Sequence, residues 1–476
     1  MSTILKIARN SGYLLFGRVA TKIISFLILL YIARYLGPEE FGTFSFAFAF
    51  IYFFGFIPDM GVHNVLVREI SKKPEDASIL IGNATILKVI LSFVAFVLSL
   101  STIYFLDYPS HIESTLYIAS LGLLITSVSA YGVIYETKLK MEYSVFFSIA
   151  SRIFFLIAVY AGIYYNQSLG YFVLASIVSD LIHNLLMYLF SKRFVVPSFK
   201  LNTALLKNIM LEALPIAVAS VFTMIYFRID VVMLQFMKSN IAVGYYSAAY
   251  RLTEALVFVP SVFMTSVFPL MSQYYKSSHT NFTQSYIRSF KYLLASGLFL
   301  AVLATTFAEW IISFMYGTEY NNSVTVLRIL IWATAVMFIN ILLSFTYISS
   351  NNQKMIAKIS AFAAFLNVIM NASLIPHYSY NGAAIATLLT EMIVMVFGIY
   401  WIYKNVINVP LTRELSYPLF GAFSVSVFLF GLGQYNMLVL CPFSVPLYVG
   451  ILYYTGWIDS YDIKAFNKIF RLKKIV

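Results

Sequence analysis

Apolar residues occur along this chain in long runs that are separated by short polar connections. Each run is about 20 residues long, the length at which an α-helix crosses a hydrocarbon core of about 30 Å. The short alternating segments of a membrane β-barrel are absent from the sequence. The pattern therefore predicts an all-α integral membrane protein with about fourteen transmembrane helices. The predicted spans are 12–35, 43–67, 79–106, 115–136, 146–165, 169–190, 210–236, 244–272, 292–316, 323–348, 355–376, 382–403, 416–433 and 436–457.

Composition excludes a soluble protein of this size. Of the 476 residues, 61% are hydrophobic and only 11% are charged, far fewer charges than a soluble surface needs. The net charge of +12 is assigned to basic connections at the membrane surface, so we expect no nucleic acid partner. Cys441 is the single cysteine, which excludes an intrachain disulfide and a thiolate metal site, and the histidines have no metal-ligand spacing.

The charges of the connections give the orientation of the predicted helices. Basic connections such as "SKKPED" (71–76) and "ETKLKMEY" (136–143) alternate with connections such as "LGPEE" (36–40) and "GTEYNNS" (317–323). Basic connections stay on the cytoplasmic side of a membrane. We predict a multi-pass protein of the cytoplasmic membrane with both termini in the cytoplasm, the C-terminal one as a basic tail.

The chain also repeats itself with an offset of 202 residues. The segment "GTFSFAFAFIYFFGFIP" (42–58) aligns without a gap with "GYYSAAYRLTEALVFVP" (244–260). The alignment pairs Gly42 with Gly244, Ser45 with Ser247, and Pro58 with Pro260. With a small extra gap, Asp180 pairs with Glu391. Internal repeats of this kind are typical of transporters.

Each repeat contains six predicted spans, an even number, so both halves enter the membrane in the same direction. This predicts two six-helix lobes related by a pseudo-two-fold axis along the membrane normal, with a cleft between them. We predict an N-terminal lobe at 1–195, a C-terminal lobe at 196–404, and two added helices with the basic tail at 405–476.

Several cations lie inside predicted spans, where a charge costs about 2.5–3.5 kcal/mol and must face protein or a wet cavity. Arg18 and Lys22 share one face of span 1, and Arg251 and Glu254 share one face of span 8. Arg18 could also reach the interface, and Arg251 with Glu254 could be a structural ion pair. Arg228 in span 7 must find its partners on other helices. Lys88, Arg152 and Arg328 lie nearer span ends and are predicted to extend to the interface.

Three acids lie inside spans as well. Asp59 follows Pro58, and Asp180 and Glu391 lie at corresponding mid-span positions of the two halves. Asp59 marks a hinge, an ion site or a local break, because Pro58 frees a backbone carbonyl. For Asp180 and Glu391 we weigh structural packing against neighbouring polar groups and coupling to a proton or sodium ion.

No motif of an enzyme is visible. The chain has no Walker A sequence, no acidic loop for a metal-dependent glycosyltransferase and no nucleophile elbow. The expected class is a transporter without a cofactor.

Four blocks in order resemble the polysaccharide flippases, O-antigen transporter-like proteins of the multidrug/oligosaccharidyl-lipid/polysaccharide exporter superfamily. The blocks are "YLGPEEFGTFSFAFAF…FGFIPDMGVHNVLVREISK", "YFRIDVVMLQFM…AVGYYSAAYRLTEALVFVPSVFMTSVFPLMSQYY", "FMYGTEYNNSVTVLRIL" and "LNVIMNASLIPHYSYNGAAIATLLTEM". The resemblance runs from about residue 5 to residue 404.

The resemblance implies two six-helix lobes around a central cavity and a cargo consisting of an oligosaccharide on a polyprenyl pyrophosphate. It also implies membrane lipids and polysaccharide assembly enzymes as partners. Arg18 and Arg251 occupy places that match functional arginines of the lipid II flippase in this superfamily, whereas Lys22 lacks the planar fork of arginine. Arg18, Lys22, Arg228 and Arg251, with Glu254 as positioning partner, are the predicted substrate-binding residues.

Two other functions stay open at this point. A cation- or proton-coupled drug antiporter of the same superfamily should have an acid-dominated cavity, whereas cations prevail in these spans, although Asp59, Asp180 and Glu391 are acids. A membrane-embedded enzyme that modifies polysaccharide, such as a polymerase or acyltransferase, needs a large polar loop with catalytic groups, and the sequence has none.

Overall fold

The computed structural model describes residues 3–409, 412–431, 437–460 and 462–463. This part of the chain consists of α-helices and short 3-10 turns, without a strand. The predicted basic tail from residue 464 and part of the connection before the last predicted span lie outside the described residues. The prediction of an all-α membrane protein is confirmed.

Sixteen α-helices follow one another along the described chain. The first eight are α1 (Thr3–Asp59), α2 (Val62–Lys72), α3 (Ala77–Leu106), α4 (Ser110–Ile125), α5 (Gly132–Thr137), α6 (Met141–Tyr164), α7 (Leu169–Ser191) and α8 (Thr203–Met237). The others are α9 (Asn240–Leu256), α10 (Phe258–Ser277), α11 (His279–Thr306), α12 (Ala308–Tyr316), α13 (Ser323–Ser349), α14 (Lys354–Asn405), α15 (Thr412–Gly431) and α16 (Met437–Tyr454).

Ten helical stretches of the described chain are long and apolar enough to cross a membrane. The count rises to eleven if the bent pair Ser110–Ile125 and Ser129–Thr137 is one crossing. The predicted number of fourteen is therefore not confirmed. Two crossings are lost from the count because the predicted connections at 36–42 and 377–381 are built into single long helical elements, α1 and α14. A third is lost because the described helix of the last predicted span, Leu440–Tyr454, is shorter than a full crossing.

Helix α1 is too long for one crossing. Its 57 residues would extend about 85 Å, more than twice the thickness of a bilayer core. It is interrupted at Gly37, whose backbone has φ 70° and ψ 176°. Glycine adopts this conformation without steric cost, and Pro38 after it disfavours a helical residue at this position. Helix α14 has 52 residues and a similar interruption at Ser379, with φ 50°.

By contacts, the chain forms two compact units. The first unit contains Met1–Arg251, Met315–Tyr320 and Ser360–Ala383, and the second contains Leu252–Phe314, Asn321–Ile359 and Ala384–Val476. The two units are defined by contacts between residues and not by the internal repeat. The predicted lobe boundaries at 195 and 404 therefore stay a prediction.

The first unit contains a close crossing of α1 and α9 at the repeated glycines. A Cβ on Gly42 would lie 1.8 Å from the carbonyl oxygen of Asn240, and a Cβ on Gly244 would lie 1.8 Å from that of Pro38. Adding the 202-residue offset to Pro38 and Gly42 gives Asn240 and Gly244, so the two contacts are one contact repeated by symmetry. Such reciprocity is the mark of a two-fold axis between two elements, and it supports the predicted repeat at this crossing.

The connection between the two predicted halves is bound to α3, also in the first unit. The Ser78 hydroxyl donates to the Val196 carbonyl at 2.6 Å, and the Asn83 amide donates to the Lys200 carbonyl at 3.0 Å. Asn202 caps α8 by accepting from the Leu205 N–H at 3.0 Å. The backbone polar groups of this extended connection therefore find partners on a helix.

The second unit has its own apolar core between α11, α13, α15 and α16. Phe290, Phe338, Leu342 and Val425 are fully buried there. The buried Tyr448 hydroxyl of α16 donates to the Ala295 carbonyl of α11 at 3.2 Å. The two C-terminal helices are thus packed on α11 by apolar contacts and by a satisfied polar group.

Candidate functional site

Two predicted cationic residues line one cavity of the first unit. Arg228 of α8 and Arg251 of α9 border a space of about 170 Å³. The other lining residues are Ser45, Phe48, Ala49, Tyr52, Val231, Ser247 and Tyr250, from α1, α8 and α9. Pockets for drug-sized ligands are about 300–1,000 Å³, so this cavity holds only a fragment of a large molecule.

Two aromatic rings lie near the Arg228 guanidinium. Its central carbon is 5.8 Å from the Tyr52 ring centroid and 5.9 Å from the Tyr250 ring centroid. These distances are at the outer limit of cation–π attraction, which orients a guanidinium without removing its hydrogen-bond donors. Arginine presents those donors as a planar fork that matches carboxylate and phosphate groups. The arrangement can therefore bind an anion beside two aromatic rings.

Residues that line the cavity correspond in pairs through the 202-residue repeat. Ser45 and Ser247, Phe48 and Tyr250, and Ala49 and Arg251 are all cavity residues and are all 202 positions apart. The pseudo-two-fold relation of α1 and α9 therefore continues from the glycine crossing to the cavity one turn further along each helix.

The remaining predicted substrate-binding residues lie elsewhere. Arg18 and Lys22 are exposed on the first part of α1, and neither is among the described residues that line the cavity. Glu254 is half-buried, three residues after Arg251 on α9. The structure brings Arg228 and Arg251 together, whereas a shared site with Arg18 and Lys22 stays a prediction.

The structure corrects the interpretation of Lys88 and defines the surroundings of Asp59. Lys88 does not extend to the interface; its side chain is 2% exposed. Its ammonium donates to the Asp59 carboxylate at 2.7 Å and to the Ser129 hydroxyl at 2.9 Å. Helix α1 ends at Asp59, so the predicted span 43–67 is too long and Asp59 marks a local break. A buried ammonium is tolerated here because a carboxylate neutralises it.

The other two candidate coupling acids also have partners. The Asp180 carboxylate accepts from Arg152 at 3.3 Å, so Arg152 is an ion-pair partner within the bundle. Glu391 is buried, and its carboxylate accepts from the Asn340 amide at 2.6 Å. Arg328, predicted to extend outward, is exposed and binds Glu309 at 3.0 Å. A coupling role for Asp59, Asp180 or Glu391 stays a prediction.

Sequence reasoning missed the neutral residues of the cavity, above all Ser45, Ser247, Tyr52 and Tyr250. Serine and tyrosine are common in membrane helices, so nothing in their local pattern marks a site. The signal that could have found the serines is the repeat itself, which pairs Ser45 with Ser247. Among the described residues, no three His, Cys, Asp or Glu side chains are grouped so that they could hold a metal ion.

Comparisons with known proteins agree with this architecture. The family described as Polysaccharide biosynthesis protein matches residues 7–275, more than half of the chain, and the MatE family matches residues 215–373. The chain is 23% identical to Capsular polysaccharide biosynthesis protein CapF of Staphylococcus aureus, over 84% of this chain and 99% of CapF. It is 22% identical to "Probable flippase AglR" of Haloferax volcanii, over 93% of each chain.

A similar fold is found among solved structures. The lipid II flippase MurJ in an inward closed conformation matches with a TM-score of 0.77 and 15% identity, over 93% of this chain and 100% of that one. At this identity the likeness concerns the fold alone. Together with the family match over more than half of the sequence, it shows that this membrane protein belongs to the polysaccharide biosynthesis protein family.

Proposed function

We propose that this protein is a flippase that moves a polyprenyl-pyrophosphate-linked oligosaccharide across the cytoplasmic membrane for the assembly of cell-surface polysaccharide. The observation that carries the proposal is the pair of arginines, Arg228 and Arg251, on one cavity inside a membrane-spanning bundle. The names of CapF and AglR, with a polysaccharide role in one and a flippase role in the other, support it.

The chemistry of the cargo explains why such a cavity is needed. A pyrophosphate carries about two negative charges and cannot enter hydrocarbon without replacement of its hydration. Charge-assisted hydrogen bonds from arginines provide that replacement. In this proposal the lipid tail stays in the bilayer, the head group occupies the cavity, and alternating access exposes it to each side in turn. Glu254 orients Arg251, and Arg18 and Lys22 contact the same head group.

The test is transport by arginine variants of the full chain. Arg251→Lys keeps the charge but loses the fork, so we expect partial activity. Arg251→Ala with Glu254→Gln removes the charge without leaving an acid behind. Losing one charge-assisted bond, about 1.5–3 kcal/mol, should reduce transport at least about tenfold. The readouts are complementation of a flippase-deficient strain and flipping of a labelled lipid-linked sugar in proteoliposomes.

Arg328→Ala is the matched control, because Arg328 is an exposed arginine paired with Glu309 and not a cavity residue. It should retain transport. Full complementation by the folded Arg251→Ala/Glu254→Gln variant would mean that Arg251 has a structural role and that the proposed cargo contact is wrong.

A drug antiporter is the second candidate, and the MatE match over 215–373 favours it. Arg228 and Arg251 oppose it, because a cationic drug would be repelled by the cavity they line. Efflux of a cationic dye from cells that express the protein distinguishes the two functions; the flippase proposal expects none. The proposal also requires no covalent chemistry and no resident cofactor.

For the energy source we propose coupling to a proton or sodium ion through Asp59, Asp180 or Glu391. Their positions within predicted spans support this, because acids there are often sites of proton or ion transfer. Each carboxylate has a protein partner, so the coupling ion must compete with that partner. The measurement is transport by Asp180→Asn, Glu391→Gln and Asp59→Asn under an imposed proton or sodium gradient. Unchanged gradient dependence in all three variants would leave these acids as structural residues.

A further inference from the structure

Two serine residues of the cavity lining, Ser45 and Ser247, carry buried hydroxyls. Ser45 is 5% exposed and Ser247 is 4% exposed, and both residues line the cavity. Within the described part of the chain, the Oγ atom of neither serine has a hydrogen-bond partner. A buried hydroxyl without a partner destabilises a protein. Its occurrence at both positions of a repeated pair that lines the cavity is explained if a ligand supplies the partner.

The two sides of the cavity differ in charge. The cations Arg228 and Arg251 come from α8 and α9, and the position that corresponds to Arg251 on α1 is Ala49. On α1 the cavity is neutral and aromatic, with Phe48 and Tyr52. An anion is therefore attracted to one side, and the other side offers aromatic rings and hydroxyls to an uncharged group.

Ser45 and Tyr52 of the neutral side, together with Ser247 of α9, suit a sugar ring. A serine hydroxyl both donates and accepts hydrogen bonds, as sugar hydroxyls do, whereas a phosphate at neutral pH only accepts. Aromatic rings pack against the C–H face of a sugar, and the residue Tyr52 is 53% exposed. The cavity volume of about 170 Å³ limits the ligand to a fragment of the cargo and excludes a long oligosaccharide.

We propose that Ser45, Ser247 and Tyr52 form a subsite for the single sugar attached directly to the pyrophosphate, beside the phosphate contacts of Arg228 and Arg251. This inference rests on the proposed flippase function and adds recognition of the first sugar. The lipid and the remaining sugars lie outside the cavity. The protein thus distinguishes a lipid that carries a sugar from the bare lipid carrier.

The test compares two kinds of probe on the full-length protein in lipid nanodiscs. One probe is a polyprenyl pyrophosphate without sugar, and the others are the same lipid with one hexose or one N-acetylhexosamine. We expect wild-type protein to bind the best sugar-bearing probe more tightly than the bare lipid. Ser45→Ala and Ser247→Ala should each weaken the binding of that probe about three- to tenfold. The binding of the bare lipid should be unchanged. Tyr52→Leu should do the same, and Tyr52→Phe should retain binding.

Ser120→Ala is the control, because Ser120 is a buried serine of α4 whose hydroxyl donates to the Leu116 carbonyl at 2.8 Å. It should leave the preference for sugar unchanged. Ser45→Ala and Ser247→Ala should not lower the unfolding temperature of the ligand-free protein, since each removes an unsatisfied hydroxyl, and this separates ligand binding from a structural role.

Three results would overturn the inference in distinguishable ways. Serine variants that bind both probes more weakly, and to the same extent, would show that the serines contact the phosphate. The sugar subsite would then be wrong, and the flippase proposal would stand. Unchanged affinities would mean that the serines bind no cargo. Failure of the wild-type protein to bind either probe would reject the proposed function, and the subsite with it.

Discussion

At the residue scale, charged side chains inside the helices are neutralised by specific neighbours. Lys88 is fully buried against Asp59 and Ser129, whereas the Asp59 side chain is 50% exposed. The two members of this ion pair therefore depend on each other unequally. The sequence could place Lys88 on α3 but could not reveal this contact, because its partner is 29 residues away on another helix.

The unequal burial predicts unequal effects of removing either charge. Asp59→Asn leaves a buried ammonium without a carboxylate and should lower the free energy of unfolding by about 3–5 kcal/mol. Lys88→Met leaves only a half-exposed carboxylate, and its cost should be roughly 1 kcal/mol or less. Thermal unfolding of the purified variants in detergent measures both. The double variant should unfold near the temperature of Lys88→Met; equal losses in the two single variants would contradict the burial argument.

At the element scale, the crossing of α1 and α9 depends on the absence of two side chains. Gly42 and Gly244 each touch a backbone carbonyl of the other helix. Backbone cannot move aside as a flexible side chain can, so these positions hold the helices at a distance that only glycine permits. Glycine is also the residue that allows the interruption of α1 at Gly37.

Alanine at either crossing glycine should therefore be destabilising. Gly42→Ala and Gly244→Ala should each cost about 1–3 kcal/mol of stability, because the methyl group forces α1 and α9 apart. Gly450→Ala is the matched control: Gly450 lies in α16 with open space around its Cβ position. Alanine there should be neutral or stabilising by up to about 1 kcal/mol. If the crossing variants unfold at the same temperature as Gly450→Ala, the close approach is not structurally required.

The end of α16 gives an element-scale prediction that depends on pH. In the second unit, Lys291 of α11 donates to the Trp457 carbonyl at 2.7 Å and to the Asp462 carboxylate at 3.2 Å. Burial alone would raise the pKa of Asp462, but hydrogen bonds from Tyr292 and the Asp459 N–H, together with Lys291, hold it below the usual value. The segment after α16 is thus attached to α11 through an ionised carboxylate.

The lowered pKa of Asp462 determines how stability changes with pH. The unfolded chain binds the proton more readily than the folded one, so the attachment contributes full stability above the ordinary carboxyl pKa and loses it as the pH falls below about 4. Asp462→Asn should lower the free energy of unfolding at neutral pH by about 1.5–3 kcal/mol and flatten the acid dependence of the unfolding temperature. Lys291→Met in the Asp462→Asn background should recover part of the loss. An acid dependence unchanged by Asp462→Asn would exclude this group as its source.

At the scale of the whole molecule, the sequence repeat relates residues of the helix crossing and residues that line the cavity. The same 202-residue offset relates the glycines of the crossing and three pairs of cavity residues. The predicted superposition of spans 1–6 on spans 7–12 extends this local relation to both halves. Symmetry alone does not give the site its charge, since Arg251 corresponds to Ala49.

The predicted orientation can be measured because Cys441 is the only cysteine of the chain. In a Cys441→Ser background, single cysteines replace residues of alternate connections and are labelled with a reagent that does not cross the membrane. Asp107→Cys and Asn166→Cys should react in intact cells, whereas Lys73→Cys and Lys138→Cys should react only after the membrane is opened. The reverse pattern would place both termini outside and invalidate the charge argument.

The sequence by itself determined the fold class, the positions of most helices and the repeat, because hydropathy and spacing are properties of neighbouring residues along one chain. It also placed Arg228 and Arg251 among the candidates, since a charge in an apolar run is visible without a structure. Only the tertiary structure decided that these two share a cavity, that Lys88 binds Asp59, and that Ser45 and Ser247 carry unsatisfied hydroxyls. The reason is physical: depth in the membrane follows from position along a helix, whereas the partner of a side chain depends on which other helix packs against its face.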